Sequence, residues 1–239
     1  MNERVFRTNP ELGPRKINTY SFVNQLNYVL NNKRTIDPYS LTINLQHTAR
    51  MAKVSATLNY KLLVAKQFID IRLFAGTFLA GNKNERGYYA FRSSGYTGSN
   101  DYAFESNHIG RNETNGLPPS QFIEKDGALK VYTFLGSSSQ WMAGINLKSP
   151  RLFKTPVKLF ADIVTCDGRY LDKDIFLWDA GINITIFKNI LEVYIPFGYS
   201  NDIKNLLDRD KIEFINRIRF TLSLNKIPTK NFAKELLSN

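Results

Sequence analysis

Residues 176–186 read FLWDAGINITI. Phe176, Trp178, Ala180, Ile182, Ile184 and Ile186 share one parity; Asp179, Gly181, Asn183 and Thr185 fill the other, with Leu177 alone out of class. Successive side chains of a strand point to opposite faces, so the stretch predicts a strand with one apolar face and one wet face. It is longer than the roughly five or six residues usual in globular sheets and matches the roughly ten that a tilted strand needs to cross a bilayer.

The pattern recurs along the chain. Leu41, Ile43 and Leu45 alternate with Thr42, Asn44 and Gln46; Val54, Ala56, Leu58, Tyr60 and Leu62 then take the opposite parity. That flip predicts either a hairpin near Arg50-Met51 or a bulge, and both shift the phase. Ile69, Ile71, Leu73 and Ala75 lie opposite Asp70 and Arg72 within 68–80. Later come Trp141–Leu147, Val157–Ile163, Leu191–Tyr199 and Ile212–Asn225, the last with Phe214, Phe220 and Leu222 opposite Arg217 and Arg219. A less even strand is expected over Ile17–Leu30, and polar turns such as GNKNERG and SNDIKNLLDRDK separate the strands. The expected fold is all-β: an antiparallel transmembrane barrel, whole or partial, of ten to twelve strands. It would occupy residues 17–226, between a linker (1–16) and a tail (227–239).

Composition is compatible with that fold. Charged residues make up 22% and no apolar run reaches helix-spanning length, so a helical membrane protein is excluded. A membrane barrel has such a moderate composition because half of each strand faces a polar interior. Seventeen Phe, 12 Tyr and 2 Trp would supply aromatic girdles. The net charge of +11 comes from Lys and Arg spread along the chain. No basic cluster marks a nucleic-acid site, and no nucleic-acid partner is expected. Residues 1–16 carry Arg4, Arg7, Arg15 and Lys16 without an apolar core, so they do not read as a secretory signal. The expectation is a piece of a longer exported protein.

Alternation fits a soluble barrel equally well with its faces reversed. Strand length and the mid-strand charges Arg72, Asp162, Asp179, Arg217 and Arg219 favour lipid outside and a charged lumen. Residues 87–127 break the pattern, being rich in Gly, Ser, Asn and Tyr. They predict a short strand at Tyr88–Ser93 and a long structured loop, with room for a further strand or helical turn around 101–109. Within this loop Arg92, Asp101, Glu105, Arg111 and Glu113 suggest an Arg–carboxylate lattice that folds the loop into or over the barrel. On that reading Arg92→Ala or Arg111→Ala should lower the melting temperature far more than Lys83→Ala.

Catalytic signatures are sparse. His47 and His108 are the only histidines and no HExxH is present; Cys166 is alone. No metal, cofactor or catalytic residue is assigned. Ser93-Ser94 and Ser137–Ser139 read as turn residues, although a Ser–His pairing with either histidine is the enzymatic alternative.

The order IDIRLFAGTFL (69–79), FRSSGYTGSNDYAFESNHIGRNE (91–113), EKDGALKV (124–131) and IKNLLDRDKIEFINRIRFTLSLN (203–225) resembles the C-terminal region of Bacteroidetes M1-type gluzincin metallopeptidases. The resemblance covers about residues 40–225. It implies an outer-membrane barrel that anchors, or acts as a transport-like module for, a peptidase encoded upstream. Membrane lipid and that peptidase domain would be the partners. No active-site residue carries over. A soluble basic barrel binding a ligand or nucleic acid is the third class of reading.

Overall fold

A computed structural model describes residues 22–82, 86–111, 113, 115–167, 174–186 and 190–223. The linker and tail expected at 1–16 and 227–239 lie outside these residues, as does Lys83. Nine strands are described: β1 (Asn24–Asn32), β2 (Tyr39–His47), β3 (Met51–Val64), β4 (Gln67–Gly81), β5 (Trp141–Lys148), β6 (Val157–Asp167), β7 (Asp174–Ile186), β8 (Leu191–Tyr199) and β9 (Arg219–Leu222). They form one sheet in which each strand pairs antiparallel with the next in chain order. β1 and β9 do not pair among the described residues, so the sheet is open there and falls short of the ten to twelve strands expected. β3 and β4 run to 14 and 15 residues, well beyond the globular norm.

Two local features explain the strand pattern. Leu45 pairs with Val54 and His47 with Ala52, so a four-residue connection causes the parity flip between β2 and β3. Thr48 shapes it, its Oγ1 accepting from the N–H groups of Arg50 and Met51 at 3.1 Å each. The bulge at Ala52/Lys53 is a separate irregularity, facing β4. Between β3 and β4, Ala65 and Lys66 form a two-residue turn with φ of 47° and 68°. Positive φ at both positions matches the twist of the flanking strands, at a steric cost that glycine would avoid.

Two expected strands are corrected. Residues 88–93 form a short 3₁₀ turn (Gly87–Tyr89) and an isolated bridge from Phe91 to Ser138. The 101–109 stretch carries no strand or helix. At the other end, 212–218 is not strand: Phe214–Arg217 is a 3₁₀ turn, and only Arg219–Leu222 pair with β8. Arg217 closes that turn by donating from Nε and Nη2 to the Ile212 carbonyl (3.1 and 2.7 Å) and from Nη1 to the Tyr199 hydroxyl. The polar turn before it holds a helix, α1 (Asn201–Arg209). Ile203, Leu206 and Leu207 bury one face at helical spacing, and Asp202 and Arg209 sit at the ends where the helix dipole favours them.

The two faces of the sheet differ in kind. One cross-strand row runs Leu30–Leu41–Leu58–Leu73–Ile145–Ile163–Trp178 through β1 to β7. The adjacent row runs Asn31–Ser40–Asn59–Arg72–Asn146–Asp162–Asp179. In β4 to β7 the apolar row points out: Leu73, Ile145, Ile163 and Trp178 are 39%, 42%, 39% and 39% exposed. Its polar neighbour points in and is buried from Arg72 to Asp179. Phe220 departs from the pattern and is buried, its carbonyl accepting from Phe122 N–H at 2.9 Å.

The inward face of β4–β8 is covered by the central segment, residues 87–140. Towards α1 the contact is apolar, with Phe74, Phe78, Phe91, Leu129, Met142, Val164, Leu177, Ile203 and Leu207 in one cluster. Phe91 meets Phe74 and Phe78 edge-on at 5.8 and 5.3 Å. The approach is tight: a Cβ on Gly127 would come within 2.5 Å of the Ser93 carbonyl oxygen.

Candidate functional site

Beyond the apolar cluster, the same interface becomes ionic. Arg72 Nη1 donates to Asn146 Oδ1 and to the Asp126 carbonyl, both at 2.7 Å. Asn146 Nδ2 donates onward to Asp162 Oδ1 and to the Gly127 carbonyl, both at 2.9 Å. Lys130, fully buried, reaches from the central segment to Asp162 Oδ2 at 3.1 Å and to Glu124 Oε1 at 3.4 Å. Asp179 Oδ2 accepts from Val131 N–H at 2.6 Å.

A second knot lies beside it. Lys148 on β5 pairs with Glu124 (2.7 Å) and with Glu192 of β8 (3.0 Å). The Tyr194 hydroxyl accepts from Lys148 at 2.5 Å and donates to Glu124 at 3.1 Å. The Tyr194 ring lies under both ammonium groups, 5.2 Å from Lys130 and 5.1 Å from Lys148. Desolvation alone would raise the Glu124 carboxyl, yet Lys148 and then Lys130 hold it well below the usual carboxylate range. Glu124 also lines a half-open cavity between the central segment and β1–β4. Burial, reinforced by Asp126, pushes the Tyr96 phenol well above its ordinary value. Both phenols of the segment that face the cavity stay protonated, since Tyr102 is raised in the same way.

Of the remaining residues expected in the network, Asp101 and Arg111 form an ion pair at 2.9 Å that folds the segment on itself. Asp101 also accepts from the N–H groups of Glu105 and Ser106, and Arg111 lies 4.8 Å from the Phe104 ring. Arg92 Nη1 meets the Ser137 hydroxyl at 3.1 Å, and its backbone N–H meets the Asp126 carboxylate. Glu113 is exposed and bonds through its N–H to Gly110. Arg219 is buried against the Phe122 ring at 4.3 Å, with longer bonds to the Lys130 and Gly95 carbonyls.

One Arg–carboxylate pair of the expected lattice forms, Arg111–Asp101, while the ion pairs that join the segment to the sheet are made by Lys130 and Lys148. Lys130, Lys148, Glu124, Asn146, Tyr194 and Glu192 were not singled out from the sequence. Asn146 and Lys148 lie on the polar parity of their strand, and Glu124 and Lys130 fall within EKDGALKV, so a signal was present.

No nucleophile–base pair is assembled among the described residues. His108 Nε2 sits 3.4 Å from the Tyr96 carbonyl, and His47 is exposed at the end of β2. Ser93 and Ser94 donate to the carbonyls of Leu135 and Thr133. No group of three or more His, Cys, Asp or Glu side chains is placed to hold a metal among these residues. No helix among them is long and apolar enough to cross a membrane, which says nothing of strands. Comparison with protein-family models, curated proteins and solved structures gave no match.

Proposed function

We propose that this chain is the membrane-embedded part of an outer-membrane protein, a β-barrel whose lumen is plugged by residues 87–140 and which anchors an exported domain. The observation that carries the reading is the pairing of the apolar row Leu73–Ile145–Ile163–Trp178 outside with the ionic row Arg72–Asn146–Asp162–Asp179 inside. A water-soluble sheet gains by the reverse arrangement, because it is apolar surface that burial stabilises. In lipid the outward aliphatic face costs nothing, and the charged interior is satisfied by its own ion pairs.

Closure is part of the proposal. An unpaired strand edge cannot face hydrocarbon without leaving backbone groups unsatisfied, so β1 and β9 must find partners in the membrane. The resemblance to the C-terminal regions of M1-type peptidases supports the anchoring role, and catalysis would then belong to the upstream part. Refolded with lipid vesicles, the chain should float with them on a density gradient and migrate differently on gels before and after boiling. Recovery as a monodisperse protein without detergent, absent from the floating fraction, would overturn the reading.

A further inference from the structure

The turns that join the strands at one end of the sheet are short and basic. The β1–β2 turn carries Lys33 and Arg34, the β3–β4 turn Lys66 and the β5–β6 turn Arg151, all exposed. No carboxylate of the described residues pairs with any of these four. Asp37, the acid of the same turns, accepts from Leu63 N–H at 3.0 Å. Asp70 nearby is held by Lys61 and Lys158 at 3.2 and 3.0 Å.

Because β1 to β6 lie side by side in chain order, these turns follow one another along the rim at intervals of two strands, about 10 Å. That spacing is comparable to the Debye length in ordinary buffer, so the cations act together. The opposite end is charged differently: its loop 201–213 exposes three cations and four carboxylates.

Apolar side chains stand among the cations. Ile36 is 63% exposed and Phe153 is 95% exposed. The turn around Phe153 is built to hold it there. Its φ of 47° lies in the left-handed region, which is costly for a bulky residue. Thr155 donates from its N–H and its hydroxyl to the Leu152 carbonyl at 2.8 and 2.6 Å, and Ser149 Oγ accepts from Leu159 N–H at 2.8 Å. A ring fixed in water gains nothing, whereas one set beside cations at a charged lipid surface gains from burial while the cations meet phosphate.

We propose that this turn-bearing rim is a docking surface for anionic phospholipid. Lys33, Arg34, Lys66 and Arg151 meet headgroup phosphates, and Phe153 and Ile36 enter the boundary between headgroups and acyl chains. The inference rests on the membrane reading and deepens it, naming the lipid that the domain prefers and the end that meets it.

Flotation tests it, with vesicles of phosphatidylcholine alone and of phosphatidylcholine mixed equally with phosphatidylglycerol. Each cation near an anionic surface adds about fivefold to partitioning at modest ionic strength. The lipid concentration that floats half of the protein should therefore fall at least tenfold on the mixed vesicles, and high salt should erase most of that gain. A variant combining Lys33→Glu, Arg34→Glu, Lys66→Glu and Arg151→Glu should float on phosphatidylcholine as the parent does and lose the advantage on the mixture. Phe153→Cys labelled with nitrobenzoxadiazole gives a second arm, since the native Cys166 is buried. The dye should brighten severalfold on the mixed vesicles. Equal flotation of the parent on both lipids, an advantage that survives the four reversals, or a dye that stays dark would overturn the docking surface while leaving the anchor intact. Failure to float on either lipid would overturn both.

Discussion

Asp162 and Asp179 are direct cross-strand partners on β6 and β7, 1% and 0% exposed, and only Asp162 touches a cation. Lys130 supplies it at 3.1 Å, whereas Asp179 has a backbone N–H on Oδ2 and no hydrogen-bond partner on Oδ1. Two carboxylates and one ammonium thus fasten the central segment to the sheet.

Lys130→Met should therefore be among the most damaging single changes. It leaves the buried Asp162 carboxylate without its cation and takes from Glu124 the weaker of its two, at a cost of about 3–5 kcal/mol. Asp179→Asn keeps an acceptor for the Val131 N–H and relieves the crowding of two buried carboxyls, so it should be much milder. The midpoint of heat-induced mobility shift in detergent compares the two; equal losses would mean Lys130 is not the fastening point.

Glu124 gives the chain an acid-sensitive fastening. A carboxyl held below its unfolded value contributes stability that is fully present above an unfolded pKa of about 4.3 and is lost as pH falls through the folded pKa. Protease cleavage within 87–140 should increase below that value in the parent chain. Glu124→Gln should be cleaved more readily at neutral pH and change less on acidification. Parallel profiles for the two would contradict this role.

Arg111 and Arg92 should separate in their effects. Arg111→Ala leaves the buried Asp101 carboxylate without its cation and should cost about 3–5 kcal/mol. Arg92→Ala loses one hydrogen bond to a neutral hydroxyl, about 1 kcal/mol. Lys33, exposed in the β1–β2 turn, replaces Lys83 as the control, and its alanine variant should stay within about 0.5 kcal/mol of the parent. Equal effects for both arginines would contradict the assignment of Arg111 to the ion pair.

How far the sequence carried these arguments depended on periodicity. β2 to β8 were legible because period-two alternation over six or more residues leaves little choice of face. α1 was missed because Ile203, Leu206 and Leu207 are embedded in a charged turn and follow a helical period. Residues 212–218 alternate without pairing, since Arg217 turns back to the Ile212 carbonyl and ends the extended run. The ion lattice was visible as charges on the polar parity, but which charges meet depends on how residues 87–140 fold back. Lys130 reaches Asp162 from 32 positions away, and no local spacing encodes that.

The outward face should respond to lipid rather than to water. Ile145→Arg places a charge in the middle of the aliphatic row and should cost about 2–4 kcal/mol in a bilayer, against roughly nothing on a water-covered surface. Refolding yield into vesicles, titrated with urea, measures the difference. A wild-type profile would argue that this face meets water.

The two tryptophans, Trp141 and Trp178, both lie on the outward parity of their strands, which makes intrinsic fluorescence a reporter of what touches that face. In vesicles the account predicts strong quenching by lipids brominated on their acyl chains and little quenching by aqueous iodide. Quenching by iodide with indifference to brominated lipid would contradict it.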